Sequence, residues 1–333
     1  VLAYSKLSLY NELLDSSLPD EAYFKNDLLL YFPEKMRAEF KPEIENHKLK
    51  REIVATFVTN SIVNRAGSTF FHNIIKDTGL AASDVARAYT AARDIFSLRK
   101  YWKEIENLDG KVAANIQYDM FIEIGKFIER QTFWFLRSSS GRINVEETVK
   151  NYSADIASFT SKLPEMLNRE LADSIKLYSK HLQTAGVPEE LANFISSLSA
   201  LASACDISNV AKTTKLPVQF IGKLYFELGQ ELGFNWLRAQ GANLKGETYW
   251  QRLALRNMID SLFDHQRRLT LEAAKLAVKS DAKPKATLEA WETENMDDLE
   301  RHGKLIAELK ATERTDLAML VAAVRRVETL AVK

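Results

Sequence analysis

The stretch EIENHKLKREIVATFVTNSIVNRAGSTFFHNIIKD, Glu43–Asp77, decides the fold class. Ile53, Val54, Phe57, Val58, Ile62, Val63, Phe70, Phe71, Ile74 and Ile75 recur at helical spacing and cover most of a helix circumference, so the pattern predicts a buried helix over 43–77 at the centre of a domain. Within it Ile53, Phe57, Asn60, Asn64, Gly67, Phe71 and Ile74 step by four and three. Two amides and a glycine therefore fall on the central stripe, and buried amides need partners. On one reading Asn60, Asn64 and Arg65 form a binding site. On the other, a neighbouring helix crosses closely at Gly67 and the asparagines bond its backbone. The second is preferred, because buried polar groups usually serve structure.

The same period runs outward in both directions, and strict alternation rich in Val, Ile and Thr is scarce, so the chain reads as all-α, a multi-helix array of helical hairpins without a substantial sheet. The 12 glycines and seven prolines fall mostly between periodic segments and punctuate about a dozen helices. Asn144 with Glu147 has the spacing of a capping box, and Pro188-Glu189-Glu190 places a proline and two acids in a first turn. Asp297 with Arg301 and Glu300 with Lys304 are i,i+4 pairs on a wet face.

Shifting the chain by 136 positions aligns Thr78, Leu80, Val85, Arg87, Tyr89, Phe96 and Leu98 with Thr214, Leu216, Ile221, Lys223, Tyr225, Leu232 and Phe234. Both copies read as a helix, a tight turn and a helix with tyrosine on its apolar face, followed by Trp102 or Trp236. Residues 73–102 and 209–238 are thus expected to be related hairpins. Ser138-Ser-Ser-Gly141 and Lys279–Thr287 read as flexible joins. They divide the chain into a subdomain over 1–137 built on the 43–77 helix, a second over 142–278 carrying the repeat, and a C-terminal hairpin over 288–333.

At 333 residues the chain is long enough for two domains or one large array, with no need of staples. Lys plus Arg balance Asp plus Glu at 45 each, so no broad field gathers nucleic acid or anionic membrane, and neither is expected as a partner. The single cysteine, Cys205, excludes an internal disulfide framework and a multi-cysteine metal site, and fits a cytoplasmic location. The longest late apolar run, Leu317–Val324, is too short for a membrane span. A chain that opens at Val1 inside an amphipathic pattern, without a starting methionine, is expected to be cut from a longer polypeptide.

Chemistry is sparsely signalled. No Gly-x-Gly occurs, so the dinucleotide-binding turn is missing, as is a Walker-type phosphate loop. His47, His72, His181, His265 and His302 stand far apart, without ligand spacing, and read as surface or packing residues. The acid pairs at 146–147, 189–190 and 297–298 suit helix starts or exposed faces. Catalytic, cofactor-binding and metal residues are therefore expected to be absent, which leaves Asn60, Asn64, Arg65 and Gly67 as a possible buried polar or interface cluster. One segment invites a different reading. Thr78–Tyr89 resembles the turn and second helix of a helix-turn-helix, which would bring Arg87, Arg93, Arg99 and Lys100 to phosphates.

Leu2-Ala-Tyr-Ser-Lys-Leu, Leu18-Pro-Asp, Tyr31-Phe-Pro, His47-Lys-Leu-Lys-Arg-Glu-Ile-Val-Ala-Thr, Val63-Asn-Arg-Ala-Gly and Asp84-Val-Ala-Arg-Ala-Tyr stand in that order along the chain. Leu232-Gly-Phe-Asn-Trp-Leu and Asp316-Leu-Ala-Met-Leu continue the series. Together they resemble the C-terminal region of the large bacterial NAD-specific glutamate dehydrogenases. The resemblance implies a helical segment that follows the catalytic and NAD domains of a cytoplasmic homo-oligomer. The parent enzyme of that family deaminates L-glutamate to 2-oxoglutarate and ammonia while reducing NAD. The family's catalytic lysine, aspartate and cofactor glycines match no position here, so a structural or regulatory role beside the catalytic domains of the same polypeptide is implied. A stand-alone helical adaptor, or a helix-turn-helix regulator, is the alternative.

Overall fold

A computed structural model describes residues 2–139, 141–280 and 283–330. Among these residues there are 19 α-helices and no strand, and 83% of them are helical. The chain is all-α, with more and shorter helices than the glycine and proline punctuation indicated. It forms two compact units, Val1–Asp155 with Ile175–Ala202, and Ile156–Ser174 with Ser203–Lys333.

The first unit begins with α1 (Leu2–Leu14), two 3-10 turns (Leu18–Asp20 and Ala22–Phe24), α2 (Lys25–Tyr31), α3 (Glu34–Glu39) and α4 (Lys41–Glu45). It continues with α5 (Lys50–Ala66), α6 (Phe70–Thr78), α7 (Ala82–Ile95), α8 (Leu98–Glu106) and α9 (Ala114–Ser138). Next come α10 (Val145–Met166) and α11 (Arg169–Thr184), each of which runs across a unit boundary, and then α12 (Glu189–Leu201). The centre of this unit is α7 laid along α9. Five alanines among the 14 residues of α7 let neighbours approach from all sides, and 11 of those residues are buried.

The helix expected over 43–77 is broken twice. Between Glu45 and Lys50 the chain turns, with the Leu49 N–H donating to His47 Nδ1 at 3.1 Å. At Gly67 the backbone enters φ +98°, a region that L side chains rarely adopt, and α5 stops one residue earlier. The face of α5 turned inward is also different from the expected stripe. Val54, Ala55, Val58, Thr59, Ile62 and Val63 are buried, whereas Ile53, Phe57 and Asn60 are half-buried and Asn64 is exposed. The cause is the placement of α1, α2 and α9 around α5.

The second unit holds α13 (Ala204–Thr214), α14 (Val218–Glu231), α15 (Phe234–Asn243), α16 (Tyr249–Ser280), α17 (Pro284–Glu294), α18 (Met296–Ala311) and α19 (Leu317–Leu330). At 32 residues α16 is the longest helix, and α13, α14, α15, α17 and α19 all pack on it. His302 of α18 donates through Nε2–H to the Leu232 carbonyl at 2.9 Å, which satisfies a free carbonyl at the end of α14. On α14, Gly222 and Gly229 share one face. A Cβ there would lie 2.3 Å from Met166 Sδ and 2.2 Å from Gln266 Nε2 respectively, so both glycines permit close approach.

Helix bounds recur at the 136-residue interval. Ala82–Ile95 corresponds to Val218–Glu231, Thr78 and Thr214 both end the preceding helix, and Leu98 and Phe234 both begin the next. Even the left-handed residues correspond, Gly79 (φ +69°) with Lys215 (φ +61°) and Ser97 (φ +52°) with Gly233 (φ +66°). Tyr89 and Tyr225 are both buried.

The compact units do not follow the three segments read from composition. Arg142, just past the serine run, bonds Ser17 Oγ at 2.8 Å, and Ile143 and Val145 are buried, so this join is an internal turn of the first unit. Ser140 itself lies outside the described residues, as do Asp281 and Ala282 of the second join. Residues 288–330 pack within the second unit instead of standing apart. Asn144 Oδ1 accepts the Glu147 N–H at 3.2 Å, and Lys304 reaches Glu300 at 2.7 Å, as their spacings indicated. Arg301 pairs with Asp298 in place of Asp297.

Candidate functional site: a buried arginine and carboxylate cluster

The four residues singled out in 43–77 do not come together as a buried cluster. Asn64 and Gly67 are exposed, and nothing lies within 4 Å of a Cβ built on Gly67, so no helix crosses there. Arg65 turns away to Glu106, at 2.6 Å, with its guanidinium carbon 5.2 Å from the Trp102 ring centre and 5.8 Å from that of Phe121. An amide that faces water needs no protein partner, which removes the reason for expecting a site.

The dense polar cluster of the first unit lies instead where α7 meets the N-terminal segment. Arg87 and Arg93, 2% and 1% exposed, project from α7 among alanines. Arg87 donates from Nε to Glu21 Oε1 at 3.0 Å, from Nη2 to the same oxygen at 2.7 Å, and from Nη1 to Asp84 Oδ1 at 2.7 Å. Arg93 holds Asp94 in a two-pronged grip, Nε to Oδ1 at 2.7 Å and Nη2 to Oδ2 at 2.8 Å, and faces buried Asp27 at 3.4 Å. Arg99 from α8 donates to Asp27 Oδ1 at 2.5 Å, Tyr23 Oη donates to Asp94 Oδ2 at 2.9 Å, and Arg142 pairs with Glu21.

Four arginines thus meet four carboxylates, and the cluster is neutral as a whole. Burial opposes the charge on Arg93, but Asp27 and Asp94 overcome it, and its pKa rises further above the ordinary value. Burial likewise works against an ionised Asp94, yet its bonds from Arg93 hold the carboxyl below the usual range. Burial, with the negative charge of Asp94, pushes the Tyr23 phenol up, and burial pushes that of Tyr89 up to about 12. Arg93, Asp94, Tyr23 and Tyr89 are thereby held in their ordinary charge states at neutral pH, the reverse of what acid-base catalysis needs. An open cleft of about 390 Å³ adjoins the cluster, lined by Glu21, Tyr23, Arg142, Ile143, Asn144 and Glu146 among others. Its arginine is already engaged by Ser17 and Glu21.

The second unit carries no such charges at the corresponding places. Gly229 stands where the interval puts Arg93, and exposed Lys223 stands where it puts Arg87. Neutral amides bridge the helices there. Gln266 Nε2 donates to the Tyr225 carbonyl at 2.6 Å and Asn168 Nδ2 to the Phe226 carbonyl at 2.9 Å.

The arginines assigned to phosphates by the helix-turn-helix reading are therefore engaged elsewhere. Arg87 and Arg93 are buried against carboxylates and Arg99 reaches inward to Asp27, so of that set Lys100 alone faces outward, and it pairs with Glu190 at 2.5 Å. A dinucleotide does not fit these residues either. The positive-φ glycines, Gly67, Gly79, Gly110, Gly186 and Gly233, stand far apart in sequence, with no pair at the spacing of a dinucleotide-binding turn. Among the described residues no group of three or more His, Cys, Asp or Glu is placed to hold a metal, and no single helix is long and apolar enough to cross a membrane. Asp27, Glu21 and Asp94 escaped the sequence reading. The available signal was the alanine content of α7, which lets neighbouring helices approach it closely and so allows an arginine on it to be buried against carboxylates.

Fold and cluster together define an all-helical region whose strongest charges are turned on one another. The chain belongs to the family described as "Glutamate dehydrogenase, C-terminal", whose profile matches residues 1–329. It is 33% identical over 334 residues to the NAD-specific glutamate dehydrogenase of Pseudomonas aeruginosa, covering 99% of this chain and 20% of that protein. Its identity to the proteins of the same name is 30% for Halomonas elongata and 26% for Mycobacterium tuberculosis, again over 99% of this chain and 20% of each relative. The chain thus spans about a fifth of the length of the curated relatives it matches.

Proposed function

We propose that this chain is the helical C-terminal part of an NAD-specific glutamate dehydrogenase and contributes form to that enzyme without taking part in its chemistry. The parent reaction is the oxidative deamination of L-glutamate to 2-oxoglutarate and ammonia with NAD as hydride acceptor. Cofactor and substrate are held elsewhere in the polypeptide. The observation that carries this reading is the match over 1–329 to a family named for the C-terminal part of the enzyme, in a chain covering a fifth of its relatives. The cluster on α7 supports it, since each carboxylate there is already matched by an arginine. The partners under this reading are the catalytic domains of the same polypeptide, in a cytoplasmic homo-oligomer, and the two hairpins related by the 136-residue interval are diverged copies of one unit.

Calorimetric titration of the chain with NAD, beside an assay for NADH formation from glutamate, tests the reading. Neither saturable micromolar binding nor turnover is expected, and either result would overturn it. In the full-length enzyme, Asp27→Asn should lower the melting temperature while leaving KM for NAD and glutamate unchanged, because the cluster acts on geometry at a distance from the reacting atoms.

A further inference from the structure

Aspartate is followed by glycine or serine at four places: Asp15-Ser16, Asp109-Gly110, Asp173-Ser174 and Asp260-Ser261. At such a pair the main-chain nitrogen of the small residue can attack the preceding side-chain carboxyl, provided that nitrogen is free to swing towards it. The fold decides where it is. Ser174 and Ser261 lie inside α11 and α16, where the helix hydrogen-bond pattern holds each nitrogen in place. The Ser16 N–H donates to the Leu13 carbonyl at 3.2 Å. Gly110 differs from all three. It lies in the turn between α8 and α9 at φ +70°, and among the described residues no acceptor is bonded to its N–H. Asp109 and Gly110 are both exposed, and nothing lies within 4 Å of a Cβ built on Gly110, so ring closure meets no obstruction there.

The geometry points to Asp109-Gly110 as a site of self-modification, at which the main chain passes through a cyclic imide to an isoaspartyl linkage. The Gly110 nitrogen bonds to Asp109 Cγ and gives up its hydrogen, the carboxyl gives up its hydroxyl, and the two leave as water. Water then adds back to either carbonyl of the ring. Opening at the side-chain carbonyl restores aspartate. Opening at the main-chain carbonyl leaves Gly110 attached through Cγ and frees the former main-chain carbonyl as a carboxylate. Neither mass nor formal charge changes, and no other reactant is needed. The linkage through Cγ lengthens the main chain by one carbon between Leu108 and Val112, whose side chains are buried at 6% and 7% exposed. Between them the Leu108 carbonyl accepts from the Lys111 N–H at 2.9 Å, the Val112 N–H at 3.1 Å and Gln117 Nε2 at 3.3 Å. A longer main chain displaces the first two donors, so the modified turn ties the end of α8 to the start of α9 less firmly.

Ageing the full-length polypeptide for weeks at neutral pH and physiological temperature, in native buffer and in urea, provides the test. Electron-transfer dissociation of the digested protein distinguishes aspartyl from isoaspartyl linkages at each of the four pairs. In native buffer the isoaspartyl fraction at position 109 should exceed that at 15, 173 and 260 several-fold. In urea the three serine pairs should gain, because their amides are released, while position 109 changes little, so its lead narrows. Gly110→Ala is strained at this φ, and Asp109→Glu is the better control: it keeps the carboxylate, but its longer side chain closes the imide ring far more slowly, and the branched linkage should disappear. Hydrogen exchange at Lys111 and Val112 should be faster in the isoaspartyl fraction than in fresh protein. A native isoaspartyl fraction at 109 no greater than at the serine pairs would overturn the assignment. So would a fraction at 109 that rises on unfolding as steeply as theirs, since the folded turn would then be protecting the pair. Unchanged exchange at Lys111 and Val112 would overturn the loosening of the turn.

Discussion

Asp27 of α2 and Arg93 of α7, 66 positions apart, face each other at 3.4 Å with 3% and 1% of their side chains exposed. The separation is long for a charge-assisted bond because each group has a tighter partner, Arg99 for Asp27 and Asp94 for Arg93. Asp27 is thus shared by two arginines from different helices. Asp27→Ala removes the shared acceptor and leaves buried positive charge in excess, at a cost of about 3 kcal/mol or more. Asp27→Asn keeps an oxygen and should cost less. Urea unfolding at constant m-value measures both, and two variants within about 0.5 kcal/mol of wild type would show that the cluster does not hold the N-terminal segment.

The contrast along α5 is testable in the same way. Asn64 is exposed and Thr59 is 3% exposed on the opposite side. Asn64→Ala should change stability by less than about 0.5 kcal/mol. Thr59→Asn, which forces an extra polar group into a packed face, should cost about 1–3 kcal/mol. Equal effects would restore the original stripe as the buried one.

Two glycines should respond with opposite signs. Gly229→Ala drives a methyl into Gln266, whose amide bonds the Tyr225 carbonyl and accepts from Arg238, so the variant should lose about 1–3 kcal/mol. Gly303→Ala adds a methyl where nothing lies within 4 Å, inside α18, and should gain about 0.5–1 kcal/mol from helix propensity. Thermal denaturation followed by circular dichroism ranks them. Gly229→Ala melting above Gly303→Ala would contradict the packing of α14 on α16.

Stability of the second unit should fall on mild acidification. Burial holds His302 below its ordinary pKa, the bond to the Leu232 carbonyl opposes this, and Arg326 adds to it. Burial, and then Arg268, act in the same direction on His265, against Asp264 and Glu328. An unfolded histidine titrates near about 6.5. Between that value and the lower folded one the unfolded chain binds more protons, so the free energy of unfolding decreases as pH drops. The loss begins near pH 6.5 and levels off once the folded groups also protonate. His302→Gln keeps a donor for Leu232 without titrating, so its melting temperature should depend less on pH over this range, with a residue of slope from His265. An unchanged slope would remove His302 as a contributor.

The sequence by itself determined whatever depends on neighbours a few residues away. Apolar spacing of three and four established helices throughout, Asn144 started α10, glycine ended α6, and an ordered series of short motifs carried the family. The recurrence of helix bounds at 136 residues was legible for the same reason, since turn chemistry is local. Tertiary structure decided which face each helix buries. On α5 apolar residues cover most of the circumference, and the packing of α1, α2 and α9 selected Val54, Val58 and Ile62 over the expected stripe of Phe57, Asn60 and Asn64. It also decided that Arg87 and Arg93 are interior groups, because a charge can be buried only where its counter-charges arrive, and Glu21 and Asp27 arrive from 66 positions away. Periodicity specifies a helix and its angular pattern; the direction of the core is a property of what surrounds it.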